Sequence, residues 1–75
     1  MPKRYSAKEV LKALKKLGFI KISQKGNHIK LRGVREGKLQ TVIVPDHKQI
    51  AIGTFSSVVN QANITKKEFE NALGR

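Results

Sequence analysis

The run Lys25-Gly26-Asn27-His28-Ile29-Lys30-Leu31-Arg32 sets an imidazole directly after a Gly-Asn pair and follows it with cations at every second position. Gly-Asn between two alternating segments reads as a two-residue hairpin turn, because Gly at the first central position supplies the positive φ of a type II′ turn. Alternate side chains of a strand share a face, so His28, Lys30 and Arg32 point the same way. An imidazole titrates near neutral pH and can accept a hydroxyl proton. Cations beside it can stabilise the charge that builds on a phosphate under attack. RNA brings its own nucleophile, the ribose 2′-hydroxyl. The chemistry this pattern suits is therefore cleavage of RNA without a metal, leaving a 2′,3′-cyclic phosphate and a 5′-hydroxyl. His28 is the candidate base, and Lys25, Lys30 and Arg32 are the candidate charge stabilisers. Gly26 lets a backbone come close. The proton for the leaving group can come from His47, from a lysine or from water. A plainer reading stands beside this one: an exposed His on a basic sheet can simply contact RNA, and His47, in a polar loop after Pro45-Asp46, can simply be solvated.

Composition narrows the field. The chain has 75 residues, with 16 Lys+Arg against 5 Asp+Glu, a net charge of +11 and a pI of about 10.5. Such an excess creates a positive potential suited to nucleic acid or to an acidic protein. With no Cys, disulfides and thiolate metal sites are excluded. Glu9, Glu36, Asp46, Glu68 and Glu70 are scattered, and two of them are placed for helix capping. A metal nuclease would need carboxylates that converge, so no metal and no cofactor is expected. The glycines are too sparse for a phosphate-cradling loop. No apolar run is long enough to span a bilayer, and Met1 to Tyr5 carries no hydrophobic signal segment. The expectation is one domain over residues 1–75, soluble and cytoplasmic, with no membrane partner.

The elements that must position the turn follow from patterning. Ser6-Ala7-Lys8-Glu9 is a capping box, flanked by Tyr5 and Val10 at the positions of a hydrophobic staple. Val10, Leu11, Leu14 and Leu17 recur at helical spacing, with Lys8, Lys12, Lys15 and Lys16 largely off that stripe, and Gly18 follows as a C-terminal stop. Phe19 to Ser23 alternates as a strand, with Ile20 and Ile22 on one side. Across the turn the register pairs Lys25 with His28, Ser23 with Lys30 and Lys21 with Arg32 on a cationic face, and Gln24 with Ile29 and Ile22 with Leu31 on an apolar one. Residues 33 to 38 read as a loop and Leu39 to Val44 as a third strand. Residues 46 to 52 form a connection without a clear signal. Thr54 is placed to cap a helix from Phe55 to Ala62 whose stripe is Phe55, Val58, Val59 and Ala62, with Asn63 at its end. Thr65-Lys66-Lys67-Glu68 is a second capping box, opening a short helix that carries Phe69 and Leu73. The order is α-β-β-β-α plus a terminal helical turn. This is an α+β arrangement: a three-stranded antiparallel sheet with the helices on one face and His28, Lys21, Lys25, Lys30 and Arg32 on the other.

Several of these segments together resemble HicA, the toxin of the HicAB toxin–antitoxin systems, a family of mRNA interferases. The resemblance runs nearly end to end. It is carried by Ser6-Ala7-Lys8-Glu9-Val10 into Leu17-Gly18-Phe19, by Lys25-Gly26-Asn27-His28, and by Thr41-Val42-Ile43-Val44-Pro45 with His47. Gly53-Thr54-Phe55-Ser56-Ser57-Val58-Val59-Asn60-Gln61-Ala62 and Glu68-Phe69 complete it. The resemblance implies a double-stranded-RNA-binding-like fold, catalysis by His28 without a metal, and a HicB-like antitoxin that covers the His28 face. Asn27 stands where many members of that family have Ser or Asp. RNA contacts are expected at Lys21, Lys25, Gly26, Asn27, Lys30 and Arg32. Double-stranded-RNA binders place lysines at the start of the second helix, whereas this chain has Thr54-Phe55-Ser56-Ser57 there, which favours single-stranded RNA on the sheet. Two other functions compete: an RNA-binding module of the same fold that does not cut, and a basic adaptor for an acidic protein.

Overall fold

The computed structural model describes residues 4–74, so Met1-Pro2-Lys3 of the opening segment lie outside the described residues. Helix α1 (Ala7–Lys16) is followed by strands β1 (Ile20–Lys25), β2 (His28–Arg35) and β3 (Lys38–Pro45), then by helices α2 (Ile52–Ala62) and α3 (Lys66–Leu73). The strands form one antiparallel sheet in the order β1-β2-β3. This is the expected α+β order, with α3 as a full eight-residue helix. None of the helices is long and apolar enough to cross a membrane, among the described residues.

Both capping boxes form. The Ser6 hydroxyl accepts from the Glu9 amide at 3.1 Å, and the Glu9 carboxylate accepts from the Ser6 amide at 3.0 Å. Thr65 and Glu68 repeat the exchange at 3.0 Å each way. Each box satisfies two amides that a helix start leaves without partners. Gly18 and Asn63 end α1 and α2 in the left-handed region, as expected. Helix α2 starts earlier than Thr54 suggests. Its first backbone bond runs from the Phe55 amide to the Ala51 carbonyl at 2.8 Å, and Ala51, with no capping side chain, takes the N-cap position.

The core lies between the helices and one face of β2 and β3. Ile29, Leu31, Val42 and Val44 of the sheet meet Val10, Ala13 and Leu14 of α1 and Val58, Val59 and Ala62 of α2. Tyr5, Phe55 and Phe69 pack as three mutually tilted rings, centroids 4.9–5.0 Å apart, and fasten α2 and α3 to the start of α1. Phe19, the remaining aromatic residue, is also buried.

Two further expectations, both in the sheet, are corrected. Residues 33 to 35 belong to β2, not to a loop, and the second turn is only Glu36-Gly37, both at positive φ. Gly33 pairs with Gln40 as a strand residue, and Phe19 lies against it: an added β-carbon would sit 2.7 Å from the ring. The second correction concerns β1. A bulge between Lys21 and Ser23 makes Ile22 an extra residue, so Ile20 pairs with Arg32 and Lys21 pairs with Leu31. One inserted residue reverses which face every side chain beyond it occupies. Ile20 and Ile22 are therefore exposed, not buried, and the expected Lys21–Arg32 pair does not exist.

Candidate nucleic-acid interface

The turn at Gly26-Asn27 has the geometry that its residues call for. Gly26 has φ +57° and Asn27 is not in the positive-φ region, the pattern of a type II′ turn. Lys25 pairs with His28, Ser23 with Lys30 and Gln24 with Ile29, as the sequence predicts. Ile29 and Leu31 are buried, so alternation turns His28, Lys30 and Arg32 to the solvent face. His28 and Arg32 are exposed, and Lys30 is half-buried. Across β3, His28 pairs with Pro45, Lys30 with Ile43 and Arg32 with Thr41. The imidazole thus stands between Lys25 and Pro45 at the turn end of the sheet. Among the described residues its ring has no hydrogen-bond partner and no neighbouring carboxylate in ion-pair range.

Lys21 does not join this group. Its partner Leu31 puts it on the helix side of the sheet, where its ammonium donates to the Gln24 side-chain carbonyl at 2.8 Å. The Gln24 amide nitrogen in turn donates to the Gly26 carbonyl at 3.2 Å and reaches Asp46 Oδ2 at 3.4 Å. Lys21 therefore braces the back of the turn. Nothing in the alternation of the sequence separates Gln24 from an ordinary surface residue. Its role is visible only once Gly26 and Asp46 are brought beside it.

The uncertain connection after β3 proves to be a strap. The Asp46 amide donates to the Asn27 carbonyl at 2.7 Å, the Ala7 amide to the His47 carbonyl at 2.9 Å, and the Ile50 amide to the Tyr5 carbonyl at 2.8 Å. The strap ties the His28 turn to the start of α1. His47 is exposed on it, and its surroundings are Ser6, Ala7, Lys8, Asp46 and Lys48, a set that includes no residue of the His28 turn.

The solvent face of the sheet is not uniformly cationic. At the end away from His28, Val34 pairs with Leu39, and these two together with Ile20 are each more than 60% exposed, while Ile43, at 37%, lies nearer His28, opposite Lys30. Ile20 was expected on the buried face. The Val34–Leu39 pair exists because β2 continues through Gly33 instead of ending in a loop. Among the described residues, no three His, Asp or Glu side chains gather as a metal site would require.

A family model described as the HicA toxin of bacterial toxin-antitoxin systems matches residues 7–64, well over half of the chain. The chain belongs to the HicA toxin family. The match takes in α1, the whole sheet, the strap, α2 and Ile64, and so contains the His28 turn with Lys25, Lys30 and Arg32. No curated protein matches. Membership in HicA makes this chain the toxin of a toxin–antitoxin system, and such a toxin implies an antitoxin that binds it.

Proposed function

We propose that this HicA protein is an endoribonuclease that cuts mRNA without a metal ion, using His28 as general base. The observation that carries the proposal is an exposed imidazole fixed at a braced turn, on the same sheet face as Lys25, Lys30 and Arg32. His28 takes the proton of a ribose 2′-hydroxyl. The 2′-oxygen then bonds to the adjacent phosphorus, the bond from phosphorus to the 5′-oxygen breaks, and that oxygen leaves with a proton from an acid or from water. The three cations stabilise the extra charge on the phosphorane. The RNA is single-stranded, because the start of α2 lacks the lysines that grip a duplex. The protein acts in the cytoplasm, where mRNA is found.

A HicB-like antitoxin covers the His28 face. The exposed aliphatic side chains of Ile20, Val34 and Leu39 on that face support this, since an exposed apolar patch suits a protein partner while the flanking cations suit an acidic one. One feature favours the competing reading of an RNA binder that does not cut: catalytic bases are commonly oriented by a further group, and the His28 ring has no such partner among the described residues.

Incubation with RNA and with DNA of the same sequence, in EDTA, separates these readings. The nuclease cuts RNA only, because DNA lacks the 2′-hydroxyl, and the end groups are a cyclic phosphate and a 5′-hydroxyl. His28→Ala abolishes cutting while leaving the fold and most RNA affinity in place. A mobility shift without scission by the wild type, or normal cutting by His28→Ala, would overturn the mechanism.

A further inference from the structure

We infer that the RNA strand does not end on the sheet but turns the corner at the strap and continues along a lysine line on α1, from Lys48 to Lys8, Lys12 and Lys16. This rests on the RNA-cutting function proposed above and adds to it a second contact surface, on the opposite side of the sheet from His28.

Two backbone hydrogen bonds link the His28 turn to the start of α1. Asn27, beside His28, holds the Asp46 amide, and the next residue, His47, holds the Ala7 amide at the start of α1. Between these two anchor points lies an open groove of about 560 Å³ lined by Ser6, Ala7, Lys8, Asp46, His47 and Lys48. Beyond it, Lys8, Lys12 and Lys16 recur at four-residue spacing on one line of α1, each about 6 Å further along the axis. All four lysines are exposed, and none forms an ion pair among the described residues.

The helix dipole accounts for Lys16, in the last turn, but not for the rest of this line. Lys8 stands in the first turn, where the helix dipole disfavours a cation. Lys8 with Lys12, and Lys12 with Lys16, are like charges four residues apart, which repel. A phosphate chain laid along them relieves both costs. The groove also differs in character from the far end of the sheet. It contains no large aliphatic side chain, which suits a phosphate backbone better than a protein surface. Asp46 is the one carboxylate in its lining, and the Gln24 amide 3.4 Å from it offsets part of its charge.

The test uses His28→Ala protein, so that RNA stays whole. Binding is measured by fluorescence anisotropy at low salt for a short RNA that just covers the sheet, and for RNAs extended by several nucleotides on the 5′ side, the 3′ side or both. The expected result is a gain of about tenfold or more in affinity from extension on one side, in keeping with added phosphate contacts. Adding Lys8→Ala, Lys12→Ala and Lys48→Ala removes that gain and leaves the short RNA within about twofold. Lys66→Ala with Lys67→Ala, on α3, keeps the gain. The inference is overturned if the triple substitution leaves the gain intact, if it weakens short and long RNA equally, or if it spares RNA and instead weakens binding of the antitoxin. Wild-type protein that cuts RNA but gains nothing from extension removes this inference alone, whereas wild-type protein that does not cut at all removes the function beneath it.

Discussion

A β-carbon built on Gly33 would stand 2.7 Å from Phe19 Cδ2, 2.8 Å from Cγ and 3.1 Å from the Phe19 Cα, and the last of these is backbone that cannot swing aside. Phe19 is itself wedged in the core at 1% exposure. Gly33→Ala must therefore push β2 away from the chain entering β1. Overpacking of this kind costs about 1–3 kcal/mol. Urea unfolding is expected to show that loss, although residue 33 carries no functional group. A variant as stable as the wild type would mean that Phe19 can retreat and that the close approach is not required. The same glycine shows how residue type can mislead. In sequence it reads as the opening of a loop, because glycine marks turns more often than close contacts, and only the position of Phe19 distinguishes the two.

At the scale of the elements, what could be read from sequence was what local chemistry determines. The two capping boxes, the Gly26-Asn27 turn, the left-handed stops at Gly18 and Asn63 and the buried stripes of α1 and α2 each depend on a few neighbouring residues. The features that were missed depend on residues far apart in the chain. The Ile22 bulge is a property of the β1–β2 pairing, and it moved Lys21 off the His28 face and Ile20 onto it. The strap was opaque because its order comes from the Asn27, Ala7 and Tyr5 backbones and not from its own side chains. Helix α3 is held in part by Arg35 at the end of β2, which pairs with Glu68. The Thr65 backbone amide, and then the Arg35 guanidinium, hold the Glu68 carboxyl below its ordinary pKa. A carboxylate depressed in the folded state contributes stability above its unfolded pKa and loses it as pH falls through the folded value. Stability measured by urea unfolding is therefore expected to hold at neutral pH and to decline on the acid side of the ordinary glutamate range. Glu68→Gln keeps a capping oxygen but cannot titrate, so it should flatten that part of the decline. An unchanged acid limb would show that this pair and cap do not contribute to it.

Taken as a whole, the molecule buries Tyr5 and all three Phe rings and exposes most of its described cations. Stacking of bases on Phe or Tyr rings, a common source of affinity for single strands, is thus closed to it, and what remains for RNA is mainly charge. Recognition of this kind releases counterions, with a log–log salt slope of about −0.7 for each phosphate neutralised on a single strand. Lys25, Lys30 and Arg32 on the sheet give a slope of about −2, and adding Lys48, Lys8, Lys12 and Lys16 brings it to about −5 for a strand long enough to reach α1. The effect belongs in the encounter and not in the chemical step, since exposed charges more than about 10 Å apart are already screened at 0.1 M salt. For a long RNA, kcat/KM should therefore fall steeply with salt while kcat stays nearly level. A slope that stays near −2 would confine RNA to the sheet. A kcat that falls in parallel with kcat/KM would move the salt-sensitive step from capture to the transition state, and would assign the exposed cations beside His28 a larger share in catalysis than in binding.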